Sequence, residues 1–441
     1  HVDDVVVKWE SAWKDLNISH NFFIRTTMDF HKSVVQKCLQ DLYEKGDIYA
    51  QEYEGLYCVS EEIFYTEKDL INGKTPLGNE VQLVKERNYF FRMSKYQQRL
   101  IDHIQENPTF ISPDFRRNEV LGFLKQPLHD LCISRPKARL SWGIELPFDK
   151  DYVTYVWFDA LLNYASALGY QQPGKDEKFK KFWPGAVHLI GKDILTTHAV
   201  YWPTMLMALG VDLPKMIFAH GWWLMDGNQK MSKSLGNVVN PLDMKSVVGV
   251  DGLRYFLTRD IYLGNDAQFS YDLVISRINS ELANNLGNLL SRSLNLVDKF
   301  FGAQVPDAKT PQESSLALRD LAVTAAARLR TEIEKMSPNT AVGVVVELLT
   351  AANKFMEDRA PWKSAKTSLE DAGDALYSSL EVLRIAGLLL SPVMPTKMDE
   401  LLTRIGWTQK PSFQDAQTWR LLKPGTKITT RHPLSPRVEV T

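Results

Sequence analysis

The chain has 441 residues, of which 44% are hydrophobic and 24% are charged, and its formal net charge at pH 7 is −1. This is the composition of a globular protein, and the length predicts two to four domains. The sequence contains no run of 18 apolar residues, which excludes a predicted membrane-spanning helix, and the small net charge gives no overall signature of nucleic-acid binding.

Cysteine is rare in this sequence. Cys38, Cys58 and Cys132 are far apart, and no Cys-x-x-Cys pair occurs. We therefore expect no structural zinc site, and the low cysteine content favours a reducing compartment.

The first 119 residues change from a helical to a strand-like pattern. Apolar residues recur at helical spacing up to Gly46, a glycine of the kind that ends helices. In the second of the two helical patterns they are Val34, Val35, Cys38, Leu39 and Leu42. Residues 47–59 alternate like a β-hairpin, and an amphipathic helix is predicted near residues 96–104. Residues 47–119 are interpreted as an inserted subdomain.

Three short apolar runs follow, at residues 153–158, 186–190 and 216–220. Helical segments separate them, so we predict a doubly wound α/β fold with a buried parallel sheet. The third run is predicted to continue as a strand to Met225, where Asp226-Gly227 predicts a two-residue hairpin turn. Ligands of such folds bind outside the carboxyl ends of the strands. Aromatic residues and single histidines at these ends more often belong to a protein core than to a ligand site.

From Tyr271 to about residue 405 the periodicity is helical and predicts a bundle of four or five helices. Asn284, Asn288 and Arg292 form a polar stripe at spacings of four residues, and Trp362 follows Pro361. Such a stripe is usually a solvated face. Amides and guanidinium groups also hydrogen-bond splayed bases, and an exposed tryptophan can stack on one.

A short loop with two lysines follows the third run. It is the run Lys-Met-Ser-Lys-Ser-Leu-Gly-Asn at 230–237, close behind His-Gly at 220–221. An arbitrary Lys-x-x-Lys is usually a solvated basic turn, although two mobile ammonium groups can also close over a polyphosphate. The whole run resembles the KMSKS signature of class I aminoacyl-tRNA synthetases.

Further motifs narrow this resemblance to the methionyl-tRNA synthetase family. They are Tyr-Val-Trp-Phe-Asp-Ala-Leu-Leu-Asn-Tyr at 155–164, His-Leu-Ile-Gly-Lys-Asp-Ile-Leu-Thr-Thr-His at 188–198, His-Gly-Trp-Trp at 220–223, Arg-Arg-Asn-Glu-Val at 116–120 and Ile-Ser-Arg-Pro at 133–136. The similarity runs in order from about residue 10 to the end of the chain.

The resemblance implies a methionine–tRNA ligase. Such an enzyme activates L-methionine with ATP and Mg²⁺ to methionyl-adenylate and transfers it to the terminal adenosine of tRNA(Met). It implies a methionine pocket formed by Trp157, Ala160, Leu161, Tyr164, Ile194 and His198. It implies ATP binding by Gly191, Asp193, His220, Gly221, Lys230, Met231, Ser232, Lys233 and Ser234, with Lys230 and Lys233 as the catalytic lysines. Anticodon binding is implied for Asn288, Arg292, Pro361 and Trp362.

The resemblance also implies a domain order. It is residues 1–46 as the end of a first Rossmann half, 47–119 as the connective insertion, 120–222 as the second Rossmann half, 223–270 as the KMSKS-loop and stem-contact region, and 271–441 as the helical anticodon-binding domain with a C-terminal tail. The insertion lacks zinc-knuckle cysteines, as in the metal-free subtype. We expect a monomer without membrane contact, in the cytoplasm or, for an organellar form, in the mitochondrial matrix.

One family signature is missing from this sequence. None of the nine histidines forms His-x-Gly-His, so the resemblance implies that the part bearing this signature is absent. A catalytically inactive tRNA-binding fragment is therefore the alternative hypothesis. A synthetase for leucine, isoleucine or valine is a weaker alternative, because the predicted insertion is too short for the larger editing domain of those enzymes.

Overall fold

The structure is a computed structural model, and it describes residues 1–58, 63–65, 67–76, 78–232, 236–430 and 432–439. In chain order its strands are β1 (Ile48–Cys58), β2 (Ile63–Tyr65), β3 (Gln82–Phe91), β4 (Ile111–Ser112), β5 (Leu131–Cys132), β6 (Ser134–Pro136), β7 (Glu145–Leu146), β8 (Asp149–Thr154), β9 (Val187–Gly191), β10 (Met216–His220), β11 (Trp223–Met225), β12 (Gln229–Lys230) and β13 (Ala267–Gln268).

The helices are α1 (Val2–Asp15), α2 (Asp29–Glu44), α3 (Gln97–Glu106), α4 (Asp114–Phe123), α5 (Val156–Leu161), α6 (Asn163–Ser166), α7 (Glu177–Phe182), α8 (Trp202–Leu209), α9 (Pro241–Arg259), α10 (Tyr271–Arg277), α11 (Asn288–Phe301), α12 (Glu313–Glu334), α13 (Pro338–Arg359), α14 (Pro361–Ser364), α15 (Leu369–Leu390) and α16 (Pro395–Arg404). The segment Ile278–Gly287 between α10 and α11 is a π-helix.

The chain divides into two compact units. We call His20–His220 the α/β unit, and we call His1–Ser19 together with Gly221–Thr441 the helical unit. Helix α1 thus belongs to the helical unit, whereas α2 belongs to the α/β unit. The domain boundaries expected from the sequence stay predictions.

The α/β unit contains the predicted parallel sheet, in the strand order β4-β10-β9. The runs at 186–190 and 216–220 are confirmed as neighbouring strands, paired in parallel from Met216–Val187 to His220–Gly191. The third parallel strand is β4, whose two residues are too few to give a sequence pattern.

The predicted parallel strand at 153–158 is wrong. Residues up to Thr154 belong to β8, which pairs antiparallel with β6 and β7 in a separate sheet, and α5 begins at Val156. Periodicity cannot distinguish a short apolar strand from a short buried helix, so the run joined the end of one element to the start of another.

The predicted hairpin at residues 47–59 is also wrong. Ile48–Cys58 is one continuous strand, and its main partner is β3, paired antiparallel from Ile48–Phe91 to Tyr57–Gln82. The two predicted helices before it are confirmed as α1 and α2. Gly46 adopts φ +73° directly after α2, which is the left-handed conformation that glycine adopts without steric cost.

Helix α2 buries the five predicted apolar residues and also His31. The imidazole Nδ1 of His31 lies 2.8 Å from Ser166 Oγ on α6 and joins the two helices. Burial lowers the pKa of His31 from 6.5 to about 4. Between pH 6.5 and about pH 4, His31 is therefore protonated in the unfolded chain and neutral in the folded chain.

We predict a pH-dependent loss of stability from this histidine. The contribution of neutral His31 to the free energy of unfolding is complete above pH 6.5. It is lost as the pH falls from 6.5 towards 4, because protonation of the unfolded chain then favours the unfolded state. Between pH 7.5 and pH 5 the loss should be about 2 kcal/mol. In urea denaturation, the free energy of unfolding of His31→Gln should decrease by about 2 kcal/mol less than that of the unchanged protein between pH 7.5 and pH 5. His129→Gln, at an exposed histidine, should show the same decrease as the unchanged protein. Equal decreases in all three would contradict the prediction.

The helical unit is built around α15. Every residue from Ala372 to Leu390 is buried, which is typical of a helix surrounded by others. The remaining helices of the predicted bundle pack around it. Residues 241–268, predicted to be a small connecting region, consist mainly of α9, a 19-residue helix kinked at Gly249.

A charged pair lies inside α15. Glu381 and Arg384 are both fully buried, with Nη2 of Arg384 2.7 Å from Oε2 of Glu381. The Glu381 carboxylate also accepts the backbone N–H groups of Arg420 and Leu422, each at 2.8 Å, and Arg384 donates to the carbonyl oxygens of Asp415 and Thr418. The pair thereby fixes residues 415–422 against the bundle.

Removing one member of this pair should destabilise the helical unit strongly. Arg384→Met leaves the Glu381 charge buried without its partner, so we expect a loss of about 3–5 kcal/mol in the free energy of unfolding. The matched control is Arg328→Met, which removes an exposed pair with Glu347 at 2.6 Å and should cost less than about 1 kcal/mol. Similar losses in both variants, measured by urea denaturation, would show that the buried pair has no special role.

Candidate functional site

The six residues expected to bind methionine lie on four short helical elements of the α/β unit. Helix α5 carries Trp157, Ala160 and Leu161, and α6 carries Tyr164. Ile194 ends a 3₁₀ turn after β9, and His198 lies in the π-helical turn Thr197–Tyr201. Leu161 and His198 are buried, whereas the other four are half-buried.

Tyr164 and His198 are brought into direct contact. The Tyr164 hydroxyl lies 2.9 Å from His198 Nε2, and the rings meet edge to face with centroids 5.6 Å apart. His198 Nδ1 lies 2.9 Å from the carbonyl oxygen of Ile194, which can only accept, so Nδ1 carries the proton. Burial lowers the pKa of His198 and raises that of Tyr164. Both side chains are therefore neutral, and the tyrosine O–H donates to Nε2.

A second histidine packs against the ring of Tyr164. His188 on β9 stacks on the Tyr164 ring at 4.2 Å, and its Nε2 accepts a hydrogen bond of 3.0 Å from the indole of the fully buried Trp202. Burial is the main cause that lowers the pKa of His188 to about 3. We did not predict His188, although the β alternation of residues 187–190 assigns it to the buried face.

Asp159 is a further residue that the sequence interpretation missed. It lies on α5 between Trp157 and Ala160, and burial raises the pKa of its carboxyl to about 7. This carboxyl therefore changes its charge near neutral pH, beside residues that were expected to bind substrate.

Gly191, Asp193 and His220 meet at the carboxyl ends of β9 and β10. His220 is the register partner of Gly191. A Cβ on Gly191 would lie 2.6 Å from Asp193 Oδ1 and 3.9 Å from His220 Cε1, so the three residues enclose one small space. This is the edge of the parallel sheet at which the sequence predicts a ligand.

Gly221, expected to bind ATP, and the following Trp222 belong to the helical unit. Gly221 donates its N–H to Leu263 O at 3.0 Å, and a Cβ there would lie 2.1 Å from the Asn265 carbonyl oxygen, so only glycine fits. The strand predicted to run to Met225 is interrupted at Gly221–Trp222 and resumes as β11. Its turn has three residues, Asp226–Asn228, instead of two, and Gly227 adopts φ +75° as predicted.

Lys230 ends the hairpin partner strand β12. Its exposed ammonium lies 3.9 Å from the centroid of the Trp222 ring. Met231 and Ser232 follow and are half-buried. Asn237 closes this loop, because its Oδ1 accepts the N–H of Ser232 at 2.7 Å and its Nδ2 donates to Lys230 O at 3.3 Å. Lys233 and Ser234 lie outside the described residues.

The four expected anticodon residues come together in the helical unit. Arg292 on α11 has its guanidinium 5.1 Å from the ring centroid of Trp362 on α14, and exposed Asn288 precedes it by one turn. Pro361 is buried and starts α14 directly after Ala360, which has φ +39°.

The structure adds one neighbour to this group and separates one residue of the predicted polar stripe from it. Glu357 on α13 lies 3.7 Å from the Arg292 guanidinium. Asn284, the first member of the predicted polar stripe, lies in the π-helical segment and accepts hydrogen bonds from Arg437. The stripe is therefore reduced to Asn288 and Arg292.

Among the residues that the structure describes, no group of three or more His, Cys, Asp and Glu side chains is arranged to hold a metal ion. No helix formed by them combines the length and apolarity needed to cross a bilayer.

Comparison with protein families gives two matches. A model described as tRNA synthetases class I (M) matches residues 1–82 and 65–294, and a model described as the anticodon binding domain of methionyl tRNA ligase matches residues 305–439. Together they cover both units and support the fold predicted from the sequence, a Rossmann-like domain followed by a helical anticodon-binding domain.

Individual relatives agree. The methionine–tRNA ligases of Caldanaerobacter subterraneus subsp. tengcongensis and Clostridium tetani are 43% and 44% identical to the chain, covering 99% and 100% of it and 68% of each relative. Among solved structures, Mycobacterium tuberculosis methionyl-tRNA synthetase in complex with methionyl-adenylate has a TM-score of 0.90 and 38% identity, over 97% of this chain and 85% of that one. Its apo form has a TM-score of 0.89 and 37% identity, over 98% and 86%.

These matches favour the ligase over the alternative of an inactive tRNA-binding fragment. They also favour methionine over leucine, isoleucine or valine, because both family models and the relatives named above are specific to methionine. The chain belongs to the class I methionyl-tRNA synthetase family and is a methionine–tRNA ligase.

Proposed function

We propose that the site in the α/β unit binds methionine against the Tyr164–His198 pair. A thioether has no strong hydrogen-bonding group, so its recognition depends on shape, dispersion and sulfur–aromatic contact. The observation that carries the proposal is the hydrogen bond between the Tyr164 hydroxyl and His198 Nε2. Both side chains are neutral, so that their rings form an uncharged aromatic wall. Trp157, Ala160, Leu161 and Ile194 complete the proposed pocket.

The proposed reaction begins with attack of the methionine carboxylate on the α-phosphorus of ATP, which releases pyrophosphate and forms methionyl-adenylate. Gly191, Asp193 and His220 are assigned to the adenosine. Gly221 and the loop residues Lys230, Met231, Ser232, Lys233 and Ser234 are assigned to the phosphates. Negative charge builds up on the phosphates in the transition state, where ammonium groups act electrostatically. Mg²⁺ is proposed to accompany ATP as part of the substrate complex.

The second step proposed is transfer of the methionyl group to the 3′-terminal adenosine of tRNA(Met), with release of AMP. Asn288, Arg292 and Trp362, positioned by Pro361, are assigned to the anticodon. The support is their convergence from separate helices onto one partly exposed surface that combines hydrogen-bonding groups with a ring, which is what unpaired bases require.

The methionine pocket can be tested by truncating its ring. Tyr164→Ala removes the aromatic wall and the partner of His198 Nε2, so we expect the Kd for methionine to rise at least about 10-fold. The Kd for ATP should be unchanged, because Tyr164 is not assigned to the nucleotide. Isothermal titration calorimetry measures both constants.

The matched control is Tyr43→Ala. Tyr43 is 40% exposed and stacks on Phe148 at 4.1 Å, elsewhere in the α/β unit. Its removal should leave both constants unchanged. An unchanged methionine Kd in Tyr164→Ala would refute the pocket assignment.

The anticodon surface can be tested separately. Base–aromatic stacking is worth roughly 1–3 kcal/mol, so Trp362→Ala should weaken a tRNA(Met) complex about 5- to 150-fold. The loss should disappear for a tRNA(Met) with one changed anticodon base, because no correctly placed base then stacks on the ring. Filter binding with both tRNAs measures this difference.

Two controls accompany this measurement. Trp9→Ala removes a tryptophan that is 57% exposed on α1 and should affect neither tRNA. Lys427→Ala, at an exposed lysine, should weaken both tRNAs alike and reduce the salt dependence. If Trp362→Ala weakens both tRNAs equally, Trp362 does not read the anticodon.

The expectations of a monomer and of a cytoplasmic or mitochondrial location stay predictions. Sedimentation equilibrium of the purified chain tests the first of them.

A further inference from the structure

We propose that Trp222 is a positioning residue that holds the ammonium group of Lys230 ready for the phosphates of ATP. The inference rests on the proposed role of Lys230 as a phosphate-binding lysine. Trp222 orients the Lys230 side chain and does not itself contact the reacting atoms.

The pairing register brings the two residues together. In the β11–β12 hairpin, Leu224 is opposite Lys230. Trp222 precedes Leu224 by two residues, so it projects to the same face as Lys230 and is its diagonal neighbour. Aromatic and long side chains reach each other across such a diagonal, and the 3.9 Å between the ammonium and the ring centroid is a close cation–π contact.

The next tryptophan shows why the contact is not part of the core. Trp223 projects to the opposite face, where its ring packs 5.5 Å from Phe256 and 6.3 Å from Phe269. The two consecutive tryptophans therefore have different surroundings. Trp223 anchors the hairpin in the helical unit, and Trp222 presents its ring to the lysine.

The backbone of Trp222 is held on both sides. Its N–H donates to Asp266 Oδ1 and its carbonyl oxygen accepts from the N–H of Ala267, each at 2.9 Å. The preceding Gly221 packs so closely on Asn265 that no side chain fits there. The indole is thus attached to a fixed point of the backbone.

A cation–π contact suits a lysine that must also bind phosphate. The ring face attracts the charge without accepting a full hydrogen bond, so the ammonium keeps its donors for phosphate oxygens. A mobile lysine loses conformational freedom on binding, and holding it beforehand reduces that cost. The Asn237 side chain fixes the backbone on the other side of Lys230, through its bonds to Lys230 O and the N–H of Ser232.

The contact itself is tested first. Reductive ¹³C-methylation of lysines keeps their charge, and the Lys230 signal should show an upfield ring-current shift. The shift should disappear in Trp222→Leu and persist in part in Trp222→Phe, which keeps an aromatic face. A Lys230 signal at the position of exposed lysines in the unchanged protein overturns the proposal.

The function is tested by a double-mutant cycle on ATP with Mg²⁺, using calorimetric Kd values together with rates of ATP–pyrophosphate exchange. Trp222→Leu should weaken ATP about 2- to 30-fold, with partial recovery in Trp222→Phe. In a Lys230→Ala background the same Trp222→Leu change should have no further effect, because Trp222 acts through the lysine. An equal Trp222→Leu loss in both backgrounds overturns the proposal, since a structural tryptophan would behave in that way.

Failure of the proposed function gives a different result. If Lys230→Ala alone changes neither ATP binding nor exchange, the assignment of Lys230 is wrong, whatever the NMR signal shows. The matched control is Phe182→Leu, which removes the ring under Lys181, at 5.3 Å from its ammonium, on the surface of the α/β unit. It should change neither the ATP Kd nor the exchange rate. Thermal unfolding of each variant separates loss of folding from loss of positioning.

Discussion

The position of Trp362 depends on a carboxylate buried in the central helix of the bundle. Asp374 on α15 is 1% exposed, and it accepts hydrogen bonds from Ser315 at 2.6 Å and from Arg359 at 3.0 Å. Arg359 is the last residue of α13. The charge of Arg359 is compensated inside the bundle, so α13 ends at a fixed place. The turn through Ala360 then places Trp362 beside Arg292. A helix buried on all sides thus determines the geometry of a surface site.

The same dependence of a site on its scaffold is found at the lysine loop. Strand alternation sends Trp223 into the helical unit's core and leaves Trp222 on the other face, so packing determines which ring meets the lysine. In the α/β unit, His188 alternates in the same way along β9 and supports Tyr164 from the buried side of the sheet. In both places a residue that touches no proposed substrate determines the orientation of one that does.

Periodicity predicted elements that are long or strongly patterned. Helix α2 with its buried residues, strands β9 and β10 and the helical character of the bundle were found this way, whereas the positive φ of Gly227 followed from the Asp-Gly dipeptide. It failed at residues 153–158, where antiparallel pairing of β8 and the start of α5 are decided by tertiary contacts. The proposed site residues came from motifs shared with a family. The contacts of Lys230 with Trp222 and of Arg292 with Trp362 depend on pairing register and helix packing, which no local pattern contains.

The hydrogen bonding of His198 has a consequence for how the proposed pocket distinguishes methionine from oxidised methionine. Its Nδ1 proton is donated to Ile194 O and the Tyr164 proton to His198 Nε2, so neither side chain has a donor left for a ligand. Methionine sulfoxide carries a polar oxygen on its sulfur. Placed against this wall, that oxygen would lose its water and gain no hydrogen bond from either residue, at a cost of roughly 1–3 kcal/mol. The proposed methionine pocket would therefore discriminate between the reduced and the oxidised amino acid before any chemistry occurs.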